Sequence, residues 1–303
     1  MKKEKILERM KKDWMLYALL LPMVLWYLIF AYKPMYGLLI AFKDFSLYRG
    51  IMDSPWIGLE NFYNYVTGPF FLRTLKNTLL ISSYSLFIEF PIPIILALML
   101  NEVKNAFAKK WIQTITYLPH FISIVVVAGI ITNLLAPNTG VVNLILEKLG
   151  FEKTYFLIQP EYFRSIFISS GIWKEAGFSS IVYLAALSGI DPSLYEAAKI
   201  DGADRIKQMF YVTLPCILPT IVIMFIIKVG KILEVGYEKI ILLYQPSTYE
   251  TADVLSTYVY RAGLQEAQYG LATAAGLFNA IFGFLLVVGA NKLARKLSQT
   301  SIW

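Results

Sequence analysis

Long stretches of the chain carry almost no charge, and this feature restricts the possible folds more than any other. Such apolar runs lie at residues 14–32, 78–100, 112–135, 165–187, 214–235 and 271–290. A helix needs about 20 apolar residues to cross the ~30 Å hydrocarbon core of a bilayer. Of the 303 residues, 57% are hydrophobic and 16% are charged, whereas about 25% are charged in a typical soluble domain. The sequence therefore predicts an all-α membrane protein with six transmembrane helices between residues 14 and 290.

Lysine and arginine are divided unevenly among the segments that connect these runs. The N-terminal segment 1–13, the gaps after the second and fourth runs, and the C-terminal tail 291–303 hold 15 of them, and the other three gaps hold 10. Cytoplasmic segments of membrane proteins are enriched in these residues. We therefore expect a multi-pass protein of the cell membrane with both termini in the cytoplasm. The first run is too long for a signal peptide and is interpreted as a retained helix.

The three outer loops, residues 33–77, 136–164 and 236–270, are rich in aromatic residues, which favour the interface between membrane and water. Two short apolar stretches in these loops, residues 141–149 and 254–260, are expected to be helices at the outer surface.

Several classes of function are excluded by residues that the chain lacks. A single cysteine, Cys216, excludes an internal disulfide and a CxxC metal site, and a single histidine, His120, excludes a histidine-rich zinc or haem site. No GxxxxGK[ST] sequence is present, so the chain has no phosphate-binding loop of that type. The basic residues lie beside apolar runs, which indicates membrane topology and no nucleic-acid partner. We expect no metal or cofactor in this chain and no enzymatic activity of its own.

The segment at residues 188–219, SGIDPSLYEAAKIDGADRIKQMFYVTLPCILP, is the most informative part of the chain. Asp191-Pro192 is typical of a helix start, because Asp accepts from free amides and Pro suits the first helical position. Gly202 tolerates a left-handed turn and is expected to end this helix. A second helix is expected from there to Pro215. Its small residues allow another protein to approach closely, which favours docking over catalysis.

This segment resembles the EAA loop of ATP-binding-cassette (ABC) importer permeases, in which EAA, three residues and Gly precede an apolar stretch that ends in Leu-Pro. The matching residues are Glu196, Ala197, Ala198, Asp201, Gly202, Ala203, Leu214 and Pro215. Further likeness comes from LPHFIS at 118–123, IWKEAG at 172–177 and TYVYRAG at 257–263. Together they resemble the carbohydrate-uptake branch, and within it the lipoprotein-associated permeases of Gram-positive oligosaccharide and polysaccharide importers.

The resemblance implies a type I importer transmembrane domain and a set of partners. The matching loop residues would dock into a cytoplasmic ATPase dimer, which would hold ATP and Mg. A second related permease would complete the membrane core, with lipid around it, and an extracellular solute-binding lipoprotein would deliver an oligosaccharide. Glu196 and Asp201 could alternatively pair with Lys199 and Arg205 inside the loop.

Charged residues inside apolar runs are candidates for a substrate pathway, because an ionised group in a membrane must face protein or water. Lys174 and Glu175 in the fourth run either line the pathway or pair with the partner permease. A second set, placed by helical periodicity on one face of a fifth helix, forms either a polar pathway wall or a self-paired stripe. This second set is Lys228, Lys231, Glu234 and Glu238.

Sugars bind aromatic faces and planar polar groups, so four further residues are candidates for contact with substrate: Trp173, Tyr183, Tyr237 and Asn279. His120 is interpreted as a hydrogen-bonded helix residue, because a proton relay usually needs a partner carboxylate. Cys216 is interpreted as a small apolar filler.

Three functions other than oligosaccharide import are alternatives for a membrane protein of this kind. An ion- or proton-coupled carrier would show inverted repeats and broken helices, neither of which is visible in the sequence. A membrane enzyme would need clustered catalytic groups at one face, and the outer acidic residues are scattered singly. A type I importer permease for a non-sugar solute remains an alternative at this stage.

Overall fold

The computed structural model of the chain describes residues 12–233 and 235–298. Within these residues the secondary structure is helical, apart from one isolated bridge between Lys43 and Trp56. The chain divides into two compact units, one of Met1–Thr67 with Ala262–Leu277 and one of Gly68–Arg261 with Phe278–Trp303. The all-α prediction is confirmed.

The first unit begins with one long helical stretch, Trp14–Phe42. It consists of α1 (Trp14–Trp26), a π-helical turn, α2 (Lys33–Met35) and a 3-10 turn, and α1 contains no buried residue. The helix therefore continues about ten residues beyond the predicted run of 14–32. Pro34 does not end it, because the π-helical turn Tyr27–Tyr32 directly before α2 adjusts the backbone hydrogen bonds around this proline. Two short helices follow, α3 (Gly50–Asp53) and α4 (Glu60–Thr67).

The second unit holds the remaining helices. In chain order these are α5 (Phe71–Tyr84), α6 (Pro91–Glu102), α7 (Ala106–Tyr117), α8 (Ile124–Leu134), α9 (Val141–Lys148), α10 (Pro160–Ser188), α11 (Pro192–Ile200), α12 (Arg205–Gln208), α13 (Leu214–Gly230), α14 (Tyr237–Leu243), α15 (Tyr249–Ala252), α16 (Leu255–Tyr260) and α17 (Tyr269–Ser298). The last helix contributes residues to both units.

Four of the described helical stretches are long and apolar enough to cross a membrane: Trp14–Phe42, Phe71–Glu102, Arg205–Gly230 and Tyr269–Lys292. They contain the first, second and sixth predicted runs and most of the fifth. The fourth predicted run lies in α10, a continuous helix of 29 residues that is not among these four.

The third predicted run is not one helix, so the expectation of unbroken helices was wrong. Ala106–Phe121 and Ile124–Leu134 meet at an angle of 102°. Ile122 and Ser123 are extended, and the Ser123 hydroxyl accepts from the Val126 N–H at 3.4 Å as the cap of α8. The chain passes from α7 through a 3-10 turn, Leu118–Phe121, before these two extended residues, and a serine cap favours a fresh helix start.

The fifth helix also ends earlier than its apolar run. Helix α13 stops at Gly230, Lys231 follows in a turn, and Tyr237 begins the separate helix α14. The prediction that Lys228, Lys231 and Glu238 share one helical face was therefore wrong, because a period of 100° per residue requires an uninterrupted helix. Glu234, the fourth member of that set, lies outside the described residues.

Helix α10 lies at the centre of the second unit and packs against α6, α7 and α13. A Cβ atom at Gly177 of α10 would lie only 2.0 Å from the carbonyl oxygen of Thr116 in α7. The two helices therefore approach so closely that the chain leaves no room for a side chain there.

The main core joins Ile81, Val127, Phe167, Ile240 and Val254. The stretch 254–260, which was expected to be a helix, is mostly helical, and its Val254 and Leu255 are fully buried. The stretch 141–149 does form a helix, α9, and its Val141 is half exposed.

Candidate functional site

A cavity of about 490 Å³ lies among helices of the second unit. Its wall is formed by the end of α5 and the π-helical turn Ser85–Glu89, by the middle of α10, and by the chain from the end of α13 to the start of α14. The polar and ionisable lining residues are Ser82, Ser85, Glu89, Lys174, Glu175, Lys228, Lys231, Tyr237, Glu238 and Lys239. Its volume is within the range of small-molecule sites, about 300–1,000 Å³.

Six of the ten residues predicted for the substrate pathway line this cavity: Lys174, Glu175, Lys228, Lys231, Tyr237 and Glu238. The structure places three others elsewhere. Tyr183 is 2% exposed and packs in a core with Ala97 and Ile217. Trp173 and Asn279 are not among the lining residues, and Trp173 is 46% exposed. Tyr183 lies away from the cavity because its side of α10 packs against α6 and α13.

Sequence analysis missed Glu89, which supplies a carboxylate to the cavity. Its Oε2 lies 3.3 Å from the Nζ of Lys228, and the Ser85 hydroxyl donates to the same oxygen. Pairing within the set of residues 228–238 was one of the two arrangements considered, whereas the observed partner of Lys228 lies 139 positions earlier in the chain. One signal could have identified Glu89, since it is the only charged residue in the run 78–100.

Lys239 was also missed, because it was assigned to an outer loop. It is 8% exposed, and its Nζ donates to the Phe167 carbonyl oxygen at 2.6 Å and approaches the Ser170 hydroxyl at 3.2 Å. The same ammonium lies 3.9 Å from the centroid of the Phe167 ring, within the range of a cation–π contact. Three groups of α10 therefore hold this cation against one wall.

Lys174 and Glu175 of the cavity wall contact His120, which lies at the break between α7 and α8. Lys174 Nζ donates to the carbonyl oxygen of His120 at 2.8 Å, and Glu175 Oε2 lies 2.8 Å from His120 Nδ1. The His120 ring stacks on Phe178 with centroids 3.9 Å apart. His120 is hydrogen-bonded as expected, but it does have a partner carboxylate, contrary to the sequence interpretation. Neighbouring charges of α10 thus hold the bend of the third run.

A further charge cluster surrounds Asp253, which is fully buried. Arg73 Nη2 lies 2.8 Å and Arg261 Nη2 2.9 Å from its Oδ2. Burial by itself would lower the pKa of Arg261, but the hydrogen bonds and negative charge of Asp253 outweigh it and raise the pKa. Asp253 is the single acid of this cluster, which links α5 to the segment between α15 and α16.

The segment Asp191–Pro215 has the local conformation that its sequence predicts. The Asp191 carboxylate accepts from the Ser193 N–H at 2.9 Å and caps α11. The same hydrogen bond lowers the pKa of Asp191. Gly202 has φ +76°, and the Ala203 N–H donates to the Ala198 carbonyl oxygen at 2.9 Å, which closes the helix end.

The second helix of the segment is longer than expected. It does not end at Pro215 but runs from Arg205 to Gly230 through a π-helical turn. Pro215 lies inside this continuous helix, just after the π-helical turn Met209–Thr213, and such a local adjustment accommodates the missing N–H of a proline. The Tyr195 hydroxyl lies 3.0 Å from the Thr213 hydroxyl and ties α11 to this helix.

The eight residues matched to the EAA pattern are mostly accessible. Glu196, Ala197, Asp201, Gly202 and Pro215 are exposed. Ala198, Ala203 and Leu214 are half-buried. Within the described residues neither Glu196 nor Asp201 forms an ion pair, and Arg205 lies 3.4 Å from Glu102 instead. The internal pairing considered for these two acids is therefore absent from this part of the chain.

Comparison with known proteins gives the same family along the whole chain. Residues 90–299 match the family described as binding-protein-dependent transport system inner membrane component. The polygalacturonan/rhamnogalacturonan transport system permease protein YteP of Bacillus subtilis is 44% identical, and the match covers 100% of this chain and 94% of the relative. Protein LplB of the same organism is 42% identical over 97% of this chain and 92% of its own length.

A solved structure has the same fold. It is a chain of a bacterial alginate ABC transporter, crystallised with an alginate pentasaccharide-bound periplasmic protein. Its sequence is 54% identical, the TM-score is 0.91, and the match covers 97% of this chain and 99% of that one. The ion-coupled carrier, to which the broken third run would also be suited, is set aside by this similarity.

The resemblance identified from the EAA segment is thus confirmed over the full length of the sequence. The fold is that of a type I ABC importer permease, and ATP hydrolysis in such systems belongs to separate ATPase subunits rather than to this chain. The chain belongs to the family of inner-membrane components of binding-protein-dependent transport systems, as a permease of its carbohydrate-uptake branch.

Proposed function

We propose that this chain forms, together with a second related permease, the membrane pathway of an ATP-driven importer for acidic oligosaccharides. Two similar proteins are described by acidic substrates, polygalacturonan/rhamnogalacturonan for one and alginate for the other. Uronate units carry a carboxylate on each sugar ring, so the pathway must accept a chain of negative charges as well as hydroxyl groups.

The observation that carries this proposal is the charge of the cavity. Its described lining residues include four lysines and three glutamates. Transfer of a carboxylate from water into a protein interior is costly unless a cation pairs with it. A neutral sugar would need only hydrogen-bonding groups, whereas lysines on several walls suit a substrate that brings its own carboxylates.

The proposed topology has six spans with both termini in the cytoplasm. The four apolar stretches account for four spans, the bent pair around Ile122 and Ser123 accounts for a fifth, and α10 accounts for the sixth. The charges of α10 face the cavity and His120 rather than lipid, which supports its place as a span despite its lower hydropathy. The exposed apolar surface of α1 suits contact with lipid.

The proposed coupling site is the EAA segment. Exposed acids, a small-residue face and a helix end open to solvent suit insertion into a groove of a cytoplasmic ATPase dimer, which would hold ATP and Mg. Ile200 is 88% exposed beside this helix end. With Ile206 and Tyr211, which are also exposed in this segment, it offers apolar surface that suits a protein partner. A solute-binding lipoprotein on the outer side would deliver the substrate.

Uptake by the reconstituted complex, with its ATPase and binding protein, tests the proposal. Trigalacturonate should be imported, and its carboxyl-reduced counterpart of equal length should be imported at least tenfold more slowly. Lys231→Met should reduce trigalacturonate uptake about 3- to 10-fold while the complex still assembles. Lys231→Arg is the matched control and should retain most uptake, because it keeps the charge. Equal uptake of both sugars, or wild-type uptake by Lys231→Met, would contradict the proposed pathway.

A further inference from the structure

We propose that Glu89 is an internal competitor for the substrate carboxylate, which occupies a cavity cation when the cavity is empty and so limits how tightly an acidic saccharide binds. This inference rests on the proposed function, and it assigns a specificity-determining role to a residue of the second span. A transport pathway must bind its substrate well enough to admit it and weakly enough to release it. The position of Glu89 meets the second requirement.

The backbone at Glu89 directs this carboxylate toward the cavity. Glu89 ends a π-helical turn, Ser85–Glu89, just before the helix that begins at Pro91. Such turns inside helices occur often at functional sites, because the extra residue changes which side chains face inward. The Glu89 side chain is 16% exposed. It therefore has limited access to bulk water and depends on partners in the cavity.

Two lysines from different segments lie near this carboxylate. Lys228 Nζ is 3.3 Å from Glu89 Oε2. A Cβ atom at Gly171 of α10 would lie 3.1 Å from Glu89 Oε1 and 3.4 Å from Lys239 Nζ, so these two atoms converge on the same point of α10. Glu89 is thus placed between two cations, in the position that a uronate carboxylate would take.

The two lysines differ in what else holds them. Lys239 donates to the Phe167 carbonyl oxygen and lies over the Phe167 ring, so it remains solvated by the protein if Glu89 moves away. Lys228 has Glu89 as its only ion-pair partner within the described residues, and its side chain is 38% exposed. A substrate carboxylate that reaches Lys228 must therefore replace Glu89 there.

Because a substrate carboxylate must displace Glu89 from Lys228, the net free energy gained when the acidic saccharide binds is small. Lys228 is paired before and after the substrate binds, so the substrate gains only the difference between two similar ion pairs. Without the Glu89 charge, Lys228 would have no ion-pair partner among the described residues, and binding would gain more of the interaction. Removal of the charge should therefore tighten binding and slow release into the cytoplasm.

The test compares Glu89→Gln with wild type in the assembled complex, with binding protein left out of the binding measurement. Equilibrium dialysis with trigalacturonate should show about tenfold tighter binding for Glu89→Gln, which is about 1.4 kcal/mol. The maximal import rate, measured with binding protein and ATP, should fall several-fold. A loss of a purely structural tie between the second and fifth spans would lower the import rate without tightening binding.

Two variants sharpen this measurement. Glu89→Asp keeps the charge but moves it away from Lys228 by the length of one methylene. It should therefore tighten trigalacturonate binding only about threefold. This variant replaces Glu89→Gln in the test if Glu89→Gln does not assemble. Glu238→Gln removes a negative charge from the same cavity that has no described ion pair, and it should tighten binding less than threefold. An equal effect of Glu89→Gln and Glu238→Gln would show a general charge effect and overturn the role of Glu89.

The outcomes also separate this inference from the proposed function. If the wild-type complex imports trigalacturonate but Glu89→Gln binds it with unchanged or weaker affinity, the competitor role is wrong and the proposed function stands. If wild type neither binds nor imports the acidic sugar, the proposed function itself fails.

Discussion

The proposed coupling segment, Asp191–Pro215, and the charged cavity are built in opposite ways. The segment is held by short-range contacts, such as the Asp191 cap on Ser193 and the Ala203 N–H on the Ala198 carbonyl oxygen. The cavity is held by contacts between residues far apart in the chain, of which Glu89 with Lys228, 139 positions apart, is an example. One region depends on its own few turns of helix, and the other depends on how several spans pack.

This difference predicts which substitutions act on which region. Changes in the coupling segment should alter the transfer of energy while the membrane bundle survives, because few contacts link the segment to the rest. Changes in the helix packing around α10 should remove the cavity, since its walls come from separate spans. Substitutions can therefore be chosen to damage one region and spare the other.

The largest effect is expected from Gly177→Ala, which attacks the packing of α10 on α7. The added Cβ would lie 2.0 Å from the Thr116 carbonyl oxygen, so the helices must move apart and the cavity must lose its shape. Co-expressed complex recovered as a single species by size-exclusion chromatography should fall at least tenfold. Gly289→Ala is the control, because a Cβ there meets nothing within 4 Å. Normal recovery of Gly177→Ala would show that the two helices are not in close contact.

An intermediate effect is expected from Gly202→Val in the coupling segment. A β-branched residue at φ +76° is strained, which costs about 1–3 kcal/mol, and this corresponds to a roughly 5- to 150-fold loss of coupling. Stimulation of ATP hydrolysis by loaded binding protein should be lost while assembly with the second permease remains. Glu196→Ala should show a milder loss.

Gly202→Asn is the matched control for that substitution. A Cβ at Gly202 meets nothing within 4 Å in this chain, and Asn tolerates a left-handed backbone better than Val does. It should therefore retain most of the stimulation. If Gly202→Val is stimulated normally, the energy of ATP enters the permease at another place.

The smallest effect is expected from Asp191→Ala, which removes one helix cap. Amide exchange at Ser193 and Leu194 should become faster, and stimulated ATP hydrolysis should fall less than about twofold. Asp191→Asn keeps an acceptor and should exchange at nearly the wild-type rate. Because the pKa of Asp191 is lowered in the folded loop, the contribution of its charge is complete above the ordinary pKa of Asp and is lost as the pH falls through the lowered value. Exchange at these two amides that is as slow in Asp191→Ala as in wild type would contradict a capping role for the carboxylate.

Sequence reasoning was strongest where a feature depends on neighbours in the chain. The helix start at Asp191, the left-handed turn at Gly202 and the long apolar stretches were all predicted, because caps, turns and apolar runs involve residues within a few positions. Six of the cavity residues were also predicted: five because a charged side chain in or beside an apolar run must face protein or water, and Tyr237 because aromatic faces bind sugars. The break at Ile122 and the end of α13 at Gly230 were not predicted, because the apolar runs continue through both.

The sequence by itself therefore determined the helical class, the family and the local form of the coupling segment. Only the tertiary structure decided which charges meet: Glu89 with Lys228, Glu175 with His120, and Arg73 with Asp253. Helical periodicity considered pairing only within the set of residues 228–238, but the packing of separate helices brought the Glu89 carboxylate to Lys228. In an interior where an ionised group must be paired, the partner is the one that packing places within reach, and no local pattern specifies which span that will be.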